Sequence, residues 1–407
     1  MKLQIHYSQG RQLRGDIHLP GSKSESNRAL ILQAISGGAV QIEGISAAKD
    51  SQILQQLLSE NPDTMDVGHA GTAMRFLAAY LAFRPADKIL TGSNRMQERP
   101  IGPLVTALRT MGAEIAYLEN DGYPPLLIFG RNAKFGESEV TLPGNISSQF
   151  ISALLLIAHQ QPDGLRIDLQ GEVMSRPYIE MTLELLARFG IQHTWVQNTI
   201  HIPKQHLRAG TYAVEADWSA ASYWFCLAAL QQNAAFKLWG LRKNSLQGDS
   251  VVAAKMAALG VQTNWQGDFL VVSGGGTVSD EVHWDFADCP DLAQGMIVAA
   301  AALGVKASFT GLQSLRIKET DRIAALQTEL VKFGIHLKEE NGHWWLEGQF
   351  SPVDATIKTY QDHRMAMAFA PLAVRLTKLQ IADSEVVEKS YPSFWEDLRR
   401  IGLEVTT

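Results

Sequence analysis

The sequence predicts an α/β protein of two similar domains, each assembled from three βαβαββ repeats. Three observations carry that expectation: the length, a recurring helix-stop glycine, and a second set of helices apolar almost all round. At 407 residues the chain is long for one hydrophobic core, and two domains of about 200 residues are expected.

The first helical set is amphipathic and ends on a bulky residue, a glycine and a small or aliphatic residue. Its members are LVTALRTMGAEI, MTLELLARFGI, VAAKMAALGV, AALQTELVKFGI and FWEDLRRIGLEV. Their glycines, Gly112, Gly190, Gly260, Gly334 and Gly402, lie 78, 70, 74 and 68 residues apart. Each reads as a helix stopped by a C′ glycine and followed by a strand. A regular period of this kind signals an internal repeat.

The second set is interleaved with the first: SNRALILQAISGG, AGTAMRFLAAYLAF, SSQFISALLLIAH, DWSAASYWFCLAALQ, PDLAQGMIVAAAALG and DHRMAMAFAPLAVR. Apolar over most of their circumference, these should be buried. Alternating runs such as YPPLLIFG, LRIDLQG, FLVVSGGG and HWWLEGQF supply the strands. Together they describe about six copies of one unit, divided naturally into two domains of three.

Every buried helix opens on a polar cluster: KSESNR, HAGTAMR, NISSQ, EADWSAAS, DCPDLA and YQDHRM. Ordinary N-capping accounts for the serines and aspartates. Capping does not call for Arg28, Arg75 or Arg364, since a cation in a first turn opposes the helix dipole. Helix N-termini converging on anions would explain them. Arg99 in RMQERPIG and Lys389 in VVEKSYPSF stand at further junctions. In LRIKETDRI, Lys318 and Arg322 would share one helical face if the helix has begun, although taken alone Lys318, Glu319 and Arg322 are more often a solvated ion-pair cluster. GSKS at Gly21–Ser24 lacks the glycine spacing of a nucleotide-binding P-loop.

Composition narrows the function. The chain is 46% hydrophobic and 19% charged with a net charge of −6, which suits a soluble globular protein and disfavours a nucleic-acid role. Cys226 and Cys289 form neither a disulfide framework nor a CxxC metal motif, as expected in a reducing compartment. MKLQIHYSQG alternates like a strand rather than a signal segment, and the run Gly295–Val305 is about half the ~20 residues a membrane helix needs. These features predict a cytoplasmic protein.

LPGSKSESNRAL, AGTAMR, RMQERPIGPLVTALRTMGAEI, SSQF, SRPYI, KETDR and DHRMAMAF occur in the order and spacing of the EPSP synthase family of enolpyruvyl transferases. The resemblance covers essentially the whole chain. It implies two three-repeat domains with buried parallel helices and an active site in the interdomain cleft. The domains would be 21–214, and 1–20 with 215–407, with chain crossings near 20 and 214. The implied reaction moves the enolpyruvyl group of phosphoenolpyruvate to the 5-hydroxyl of shikimate 3-phosphate. It needs no metal or organic cofactor, and no nucleic-acid or membrane partner; a monomer is expected.

Carried over by position, the resemblance assigns shikimate 3-phosphate to Lys23, Ser24, Arg28, Ser147, Ser148, Gln149, Ser175, Tyr178, Asp291, Ser314 and Lys318. Phosphoenolpyruvate falls to Lys23, His69, Gly71, Arg99, Gln149, Arg322, Arg364 and Lys389. Asp291 matches the base for the hydroxyl, although it also reads as a first-turn carboxylate; Lys23 and Glu319 are both candidates for the acid at the methylene carbon. Three positions depart from the family's usual pattern: His69 and Ser314 replace asparagine, and Phe76 replaces proline. The alternatives are UDP-N-acetylglucosamine enolpyruvyl transfer, whose loop cysteine neither Cys226 nor Cys289 matches, and non-catalytic anion binding.

Overall fold

The computed structural model describes residues 1–407. The chain forms two compact units, Ser22–Val214 and a discontinuous one made of Met1–Gly21 and Glu215–Thr407. Each has its own continuous apolar core. No helix is long and apolar enough to cross a membrane.

In chain order the helices are α1 (Lys23–Ile35), α2 (Lys49–Glu60), α3 (Gly71–Ala82), α4 (Asn94–Gln97), α5 (Gly102–Thr110), α6 (Ser148–Ala158), α7 (Arg176–Arg188), α8 (Trp218–Leu230), α9 (Val252–Met256), α10 (Ala293–Leu303), α11 (Arg322–Val331), α12 (His363–Phe369) and α13 (Phe394–Arg400). The apolar set is α1, α3, α6, α8, α10 and α12. Its few accessible positions fall largely at the ends. Gln149 is the one residue of α6 that is not buried, and Ser219 the one of α8. A helix wrapped in core on every side can meet a ligand only at its ends, which fixes where chemistry can sit.

The five helix-stop glycines all adopt positive φ, from 76° at Gly334 to 107° at Gly402, where an L side chain is strained. A sixth amphipathic helix, α2, stops instead on Asn61 at φ 47°. Asparagine tolerates this left-handed conformation, which explains why a glycine search finds five stops for six helices.

Five sheets share one order. In the first, Thr64–Asp66 pairs parallel with Asp87–Thr91, which pairs antiparallel with Leu126–Phe129, itself antiparallel to Ile115–Tyr117. The same pattern joins Glu139–Pro143, Leu165–Gln170, Thr199–Ile202 and Thr194–Val196. Two of the discontinuous unit's sheets recruit the N-terminus. Arg14–His18 pairs parallel with Ala235–Trp239, and Leu3–His6 lies between Leu379–Ile381 and Glu404–Thr406.

The sixth sheet corrects the expectation of six equal copies. It holds two strands, Val40–Glu43 and Gly210–Ala213, paired in parallel. Elsewhere the amphipathic helix leads into a hairpin or, after α13, into Glu404–Thr406 paired with Leu3–His6; after α2 only Asn61, Pro62 and Asp63 precede the next sheet. Ala39 O and Glu43 O accept from Gly210 N–H and Val214 N–H, so Val40 faces the edge where the hairpin strand is missing. Two side chains at the end of α1 cap it: Ser36 Oγ, at the helix C-cap, accepts from Val40 N–H at 3.0 Å and Gln33 Nε2 donates to Val40 O at 3.2 Å. This protects an otherwise open sheet edge.

Two further expectations are corrected by helix registers. Arg28 and Arg75 are the sixth and fifth residues of α1 and α3, beyond the first turn, so the helix dipole gives no reason for an anion beside them. Lys318 and Arg322 share no helical face. Lys318 follows a 3-10 turn, Gln313–Ile317, and α11 begins at Arg322 behind the N-cap Asp321.

Candidate active site

In the unit Ser22–Val214, candidate residues gather at the N-terminal ends of α1, α3, α6 and α7. Lys23 opens α1 and its Nζ lies 3.2 Å from Asp50 Oδ2. Ser24 follows it, half-buried. Ser147 caps α6 by accepting from Gln149 N–H, and Ser148 is its first residue. Gln149 Nε2 donates to Thr72 Oγ1 at 3.2 Å, which ties the starts of α6 and α3. Ser175 caps α7 in the left-handed region at φ 53°, with Tyr178 half-buried one turn on.

Gly71 opens α3 behind Ala70, which offers no capping side chain, and a side chain at Gly71 itself is excluded sterically. A Cβ there would stand 2.6 Å from Arg99 Nη1 and 2.9 Å from Nη2. The missing side chain lets a guanidinium lie against the helix terminus. Arg99 is 8% exposed, and its Nε is buried with no hydrogen-bond partner. A buried donor left unsatisfied costs about 1–3 kcal/mol, so this arrangement favours an acceptor that the chain itself does not supply. His69 is exposed beside it, with Nδ1 2.9 Å from Ser93 Oγ.

Arg28 and Arg75 are spent internally. Arg28 donates to Thr182 Oγ1, Ser24 O, Ser152 Oγ and Tyr178 O at 2.7–3.0 Å, bracing α1 against α6 and α7. It is 2% exposed and stacks 5.4 Å from the Phe76 ring centroid. Burial depresses its pKa to about 10, still high enough to keep the charge at neutral pH. Arg75 donates to Gly71 O, Met96 Sδ and Pro100 O, joining α3 to the segment that carries Arg99.

The discontinuous unit gathers charges. Arg322, 2% exposed, is engaged at all three guanidinium nitrogens: Nε donates to Asp362 Oδ2 at 2.7 Å, Nη1 to Asp291 Oδ1 at 3.1 Å and Nη2 to Glu319 Oε2 at 2.9 Å. Arg364 Nη2 donates to Asp291 Oδ2 at 2.7 Å and its Nη1 to Tyr223 Oη at 3.3 Å. Lys389 Nζ donates to Glu319 Oε1 at 3.0 Å. Burial alone would depress both arginines; the carboxylates around them more than reverse that and hold both above the ordinary arginine value. Burial pushes the Tyr223 hydroxyl up, leaving a neutral donor and acceptor beside Arg364. Ser314 and Lys318 are half-buried at the turn before α11.

Three carboxylates, Asp291, Glu319 and Asp362, thus face three cations, Arg322, Arg364 and Lys389. Removing one partner of such a buried pair typically costs about 3–5 kcal/mol, because the survivor is left uncompensated. An incoming anion that exchanges for a carboxylate here keeps the cation compensated.

Sequence reasoning did not single out Asp50, Thr72 or Asp362. Asp362 lies in the quoted YQDHRM cluster and does cap α12, accepting from Arg364 N–H at 2.8 Å. Its second role, holding Arg322, joins residues 40 apart in the chain.

A family model described as EPSP synthase (3-phosphoshikimate 1-carboxyvinyltransferase) matches residues 7–60 and 46–398. A 3-phosphoshikimate 1-carboxyvinyltransferase of Bacteroides fragilis strain YCH46 is 47% identical over 401 residues, covering 97% of each chain. One from Photobacterium profundum is 37% identical, covering 96% of this chain and 97% of its own. The solved EPSP synthase of Acinetobacter baumannii shares the fold with a TM-score of 0.80 across both full chains, at 22% identity. With matches over nearly its whole length, the chain belongs to the EPSP synthase (3-phosphoshikimate 1-carboxyvinyltransferase) family.

Proposed function

We propose that this protein transfers the enolpyruvyl group of phosphoenolpyruvate to the 5-hydroxyl of shikimate 3-phosphate, releasing phosphate, in aromatic amino-acid biosynthesis. Family membership supports the reaction, and the observation that carries it is the cluster of Arg322, Arg364 and Lys389 around Asp291 and Glu319. A three-cation cluster is chemically suited to phosphate and carboxylate, with each guanidinium offering a planar fork.

In this reading Arg99 and Gly71, with Lys23, Gln149 and His69, serve phosphoenolpyruvate together with Arg322, Arg364 and Lys389. Ser147, Ser148, Ser175, Tyr178, Ser24, Lys23, Gln149 and Lys318 serve shikimate 3-phosphate, and Ser314 reaches it through water. Arg28 acts on that substrate chiefly by fixing Ser24 and Tyr178, whose carbonyls it holds. Asp291 takes the proton of the 5-hydroxyl as the new C–O bond forms. The methylene carbon receives its proton from Lys23 or Glu319. A proton is then lost again from the resulting methyl group as the C–O bond to phosphate breaks, which restores the double bond and releases phosphate. Lys23 carries donors at Nζ, whereas Glu319 accepts from Arg322 and Lys389 in the arrangement seen here. Solvent-deuterium incorporation into the methylene group, lost in one of Lys23→Ala and Glu319→Gln and kept in the other, identifies the acid. The protein is proposed to act as a cytoplasmic monomer.

A coupled assay tests the reaction. Phosphate release requires both shikimate 3-phosphate and phosphoenolpyruvate; turnover with UDP-N-acetylglucosamine as acceptor would overturn the assignment.

A further inference from the structure

The helix that begins with Arg322 carries a second buried charge, one that the ion-paired cluster does not use. Glu329 lies seven residues on, about two turns along α11, and is fully buried. Burying a carboxylate is costly unless it is well partnered. Its partners belong to, or reach, the segment that joins the strand Ala355–Ile357 to α12. Tyr360 Oη donates to Oε1 at 2.7 Å, and Lys358 N–H donates to Oε2 at 3.2 Å. Lys332 Nζ donates to the same Oε2 and, at 2.8 Å, to Thr356 O. Burial and the Glu329 carboxylate push the Tyr360 hydroxyl up to about 12, so it stays a donor at neutral pH.

That segment needs holding. Tyr360 and Gln361 take φ of 53° and 57°, the one place in the chain where two consecutive non-glycine residues are left-handed. Left-handed backbone crowds Cβ against the following carbonyl oxygen, so such residues persist only where their surroundings over-determine them. Asp362 N–H closes the turn by donating to Thr359 O at 2.9 Å, and both residues are fully buried. What the turn delivers is Asp362. Its carboxylate accepts from Arg322 Nε at 2.7 Å and from Arg364 N–H at 2.8 Å, orienting one arginine and capping the helix that bears the other. One helix therefore grips the turn at both ends: Arg322 holds Asp362, while Glu329 holds Lys358 and Tyr360. An apolar side chain could occupy the space of Glu329, but only a pair of charged acceptors fixes the direction of both donors.

We propose that Glu329 is a positioning residue for phosphoenolpyruvate: through Tyr360 it holds the left-handed turn in the conformation that presents Asp362 to Arg322 and Arg364. Without that hold the turn relaxes toward ordinary backbone, Asp362 withdraws, and the two guanidiniums lose the direction in which they meet an anion. Glu329 touches no substrate and acts entirely through Asp362. The proposal rests on the phosphoenolpyruvate reading of the site given above.

Tyr360→Phe keeps the ring and removes the donor, and initial rates of phosphate release read the result. The KM for phosphoenolpyruvate should rise about tenfold, the scale of one lost hydrogen bond to a charged group, and that for shikimate 3-phosphate should stay within about twofold. The inhibition constant of glyphosate, the unreactive phosphoenolpyruvate mimic, should rise by the same factor as the first. A merely structural bond would lower stability in chemical denaturation and leave both KM values alone. That outcome, equal rises for both substrates, or an unchanged glyphosate constant overturns the proposal. Action through Asp362 is tested in an Asp362→Asn background, where Tyr360→Phe should add less than about twofold; the full effect there overturns the proposal. Should Asp362→Asn not fold, Glu329→Gln takes its place. Combined with Tyr360→Phe it should cost well short of the product of the two single losses, and a full product overturns the proposal. Wild-type turnover is followed in parallel. Its absence refutes the functional reading, whereas normal wild-type turnover with an unaffected Tyr360→Phe refutes only the role of Glu329.

Discussion

The two units prepare for anions in opposite ways. Around Gly71 and Arg99 a buried guanidinium nitrogen stands unpartnered at a helix terminus, with hydroxyl and amide donors on neighbouring helices. Around Asp291 every cation is already held by a carboxylate of the same chain. Arg364 Nε is likewise buried without a hydrogen-bond partner, so what distinguishes the second arrangement is that its cations are ordered by carboxylates, not that all its donors are satisfied. A buried charge with its partners in place costs less to maintain than a bare one, so the carboxylates preserve the site between turnovers.

The largest expected effect tests the carboxylate side. Asp291→Asn should lower kcat about 10²–10⁴-fold, the range for losing a positioned general base, with a much smaller change in KM. Comparable losses in both, by the phosphate-release assay, would make Asp291 a mere spacer between Arg322 and Arg364. Phe76→Pro comes next. It places proline in the middle of α3 and removes the ring beneath Arg28, costing about 3 kcal/mol in chemical denaturation. The same variant should change the inhibition constant for glyphosate; indistinguishable constants would remove residue 76 from any influence on the anion site.

Gly71→Ala tests the opposite unit. The new methyl displaces Arg99, and the KM for phosphoenolpyruvate should rise about 10- to 100-fold, equivalent to losing roughly one charge-assisted hydrogen bond. An unchanged KM would show that Arg99 is not used. Thr182→Val takes a hydrogen-bond partner from the buried Arg28. It should cost about 1–3 kcal/mol of stability while affecting kcat less than Asp291→Asn does.

The smallest effect is read through pH. The Asp249 carboxyl lies at about 7, above its ordinary 3.8, so between these values the folded state binds the proton more tightly than the unfolded one. Wild-type stability should therefore fall, relative to Asp249→Asn, as pH rises from about 4 to about 7, and the difference should level off above that. A flat difference across the window would mean that Asp249 is ionised throughout.

Much of this architecture was legible because periodicity survives in sequence. Helices that must be buried all round cannot hide their composition, and a left-handed stop usually requires glycine. Asn61 satisfies the same backbone need with another residue, so α2 escaped the pattern. The missing hairpin left one numerical trace: from Asn61 to Gly112 is 51 residues (112 minus 61), against 68–78 between the later stops. For the site, residue types were legible and pairings were not. Asp50 with Lys23 and Asp362 with Arg322 are products of packing, which no local spacing encodes. Arg28 and Arg75 were misread because one turn of register separates a helix mouth from a helix interior.

The strand Leu3–His6, bound between Leu379–Ile381 and Glu404–Thr406, also imposes an order on synthesis. Ser22–Val214 is one uninterrupted stretch and has all its sheet partners once it leaves the ribosome. The N-terminal strand must wait for residue 379. At about 5–20 residues per second that delay is on the order of 20–75 s, during which an apolar strand has no mate. Glu404–Thr406 covers one side of that strand, so a chain cut ahead of residue 404 would leave Leu3–His6 with an open, aggregation-prone edge.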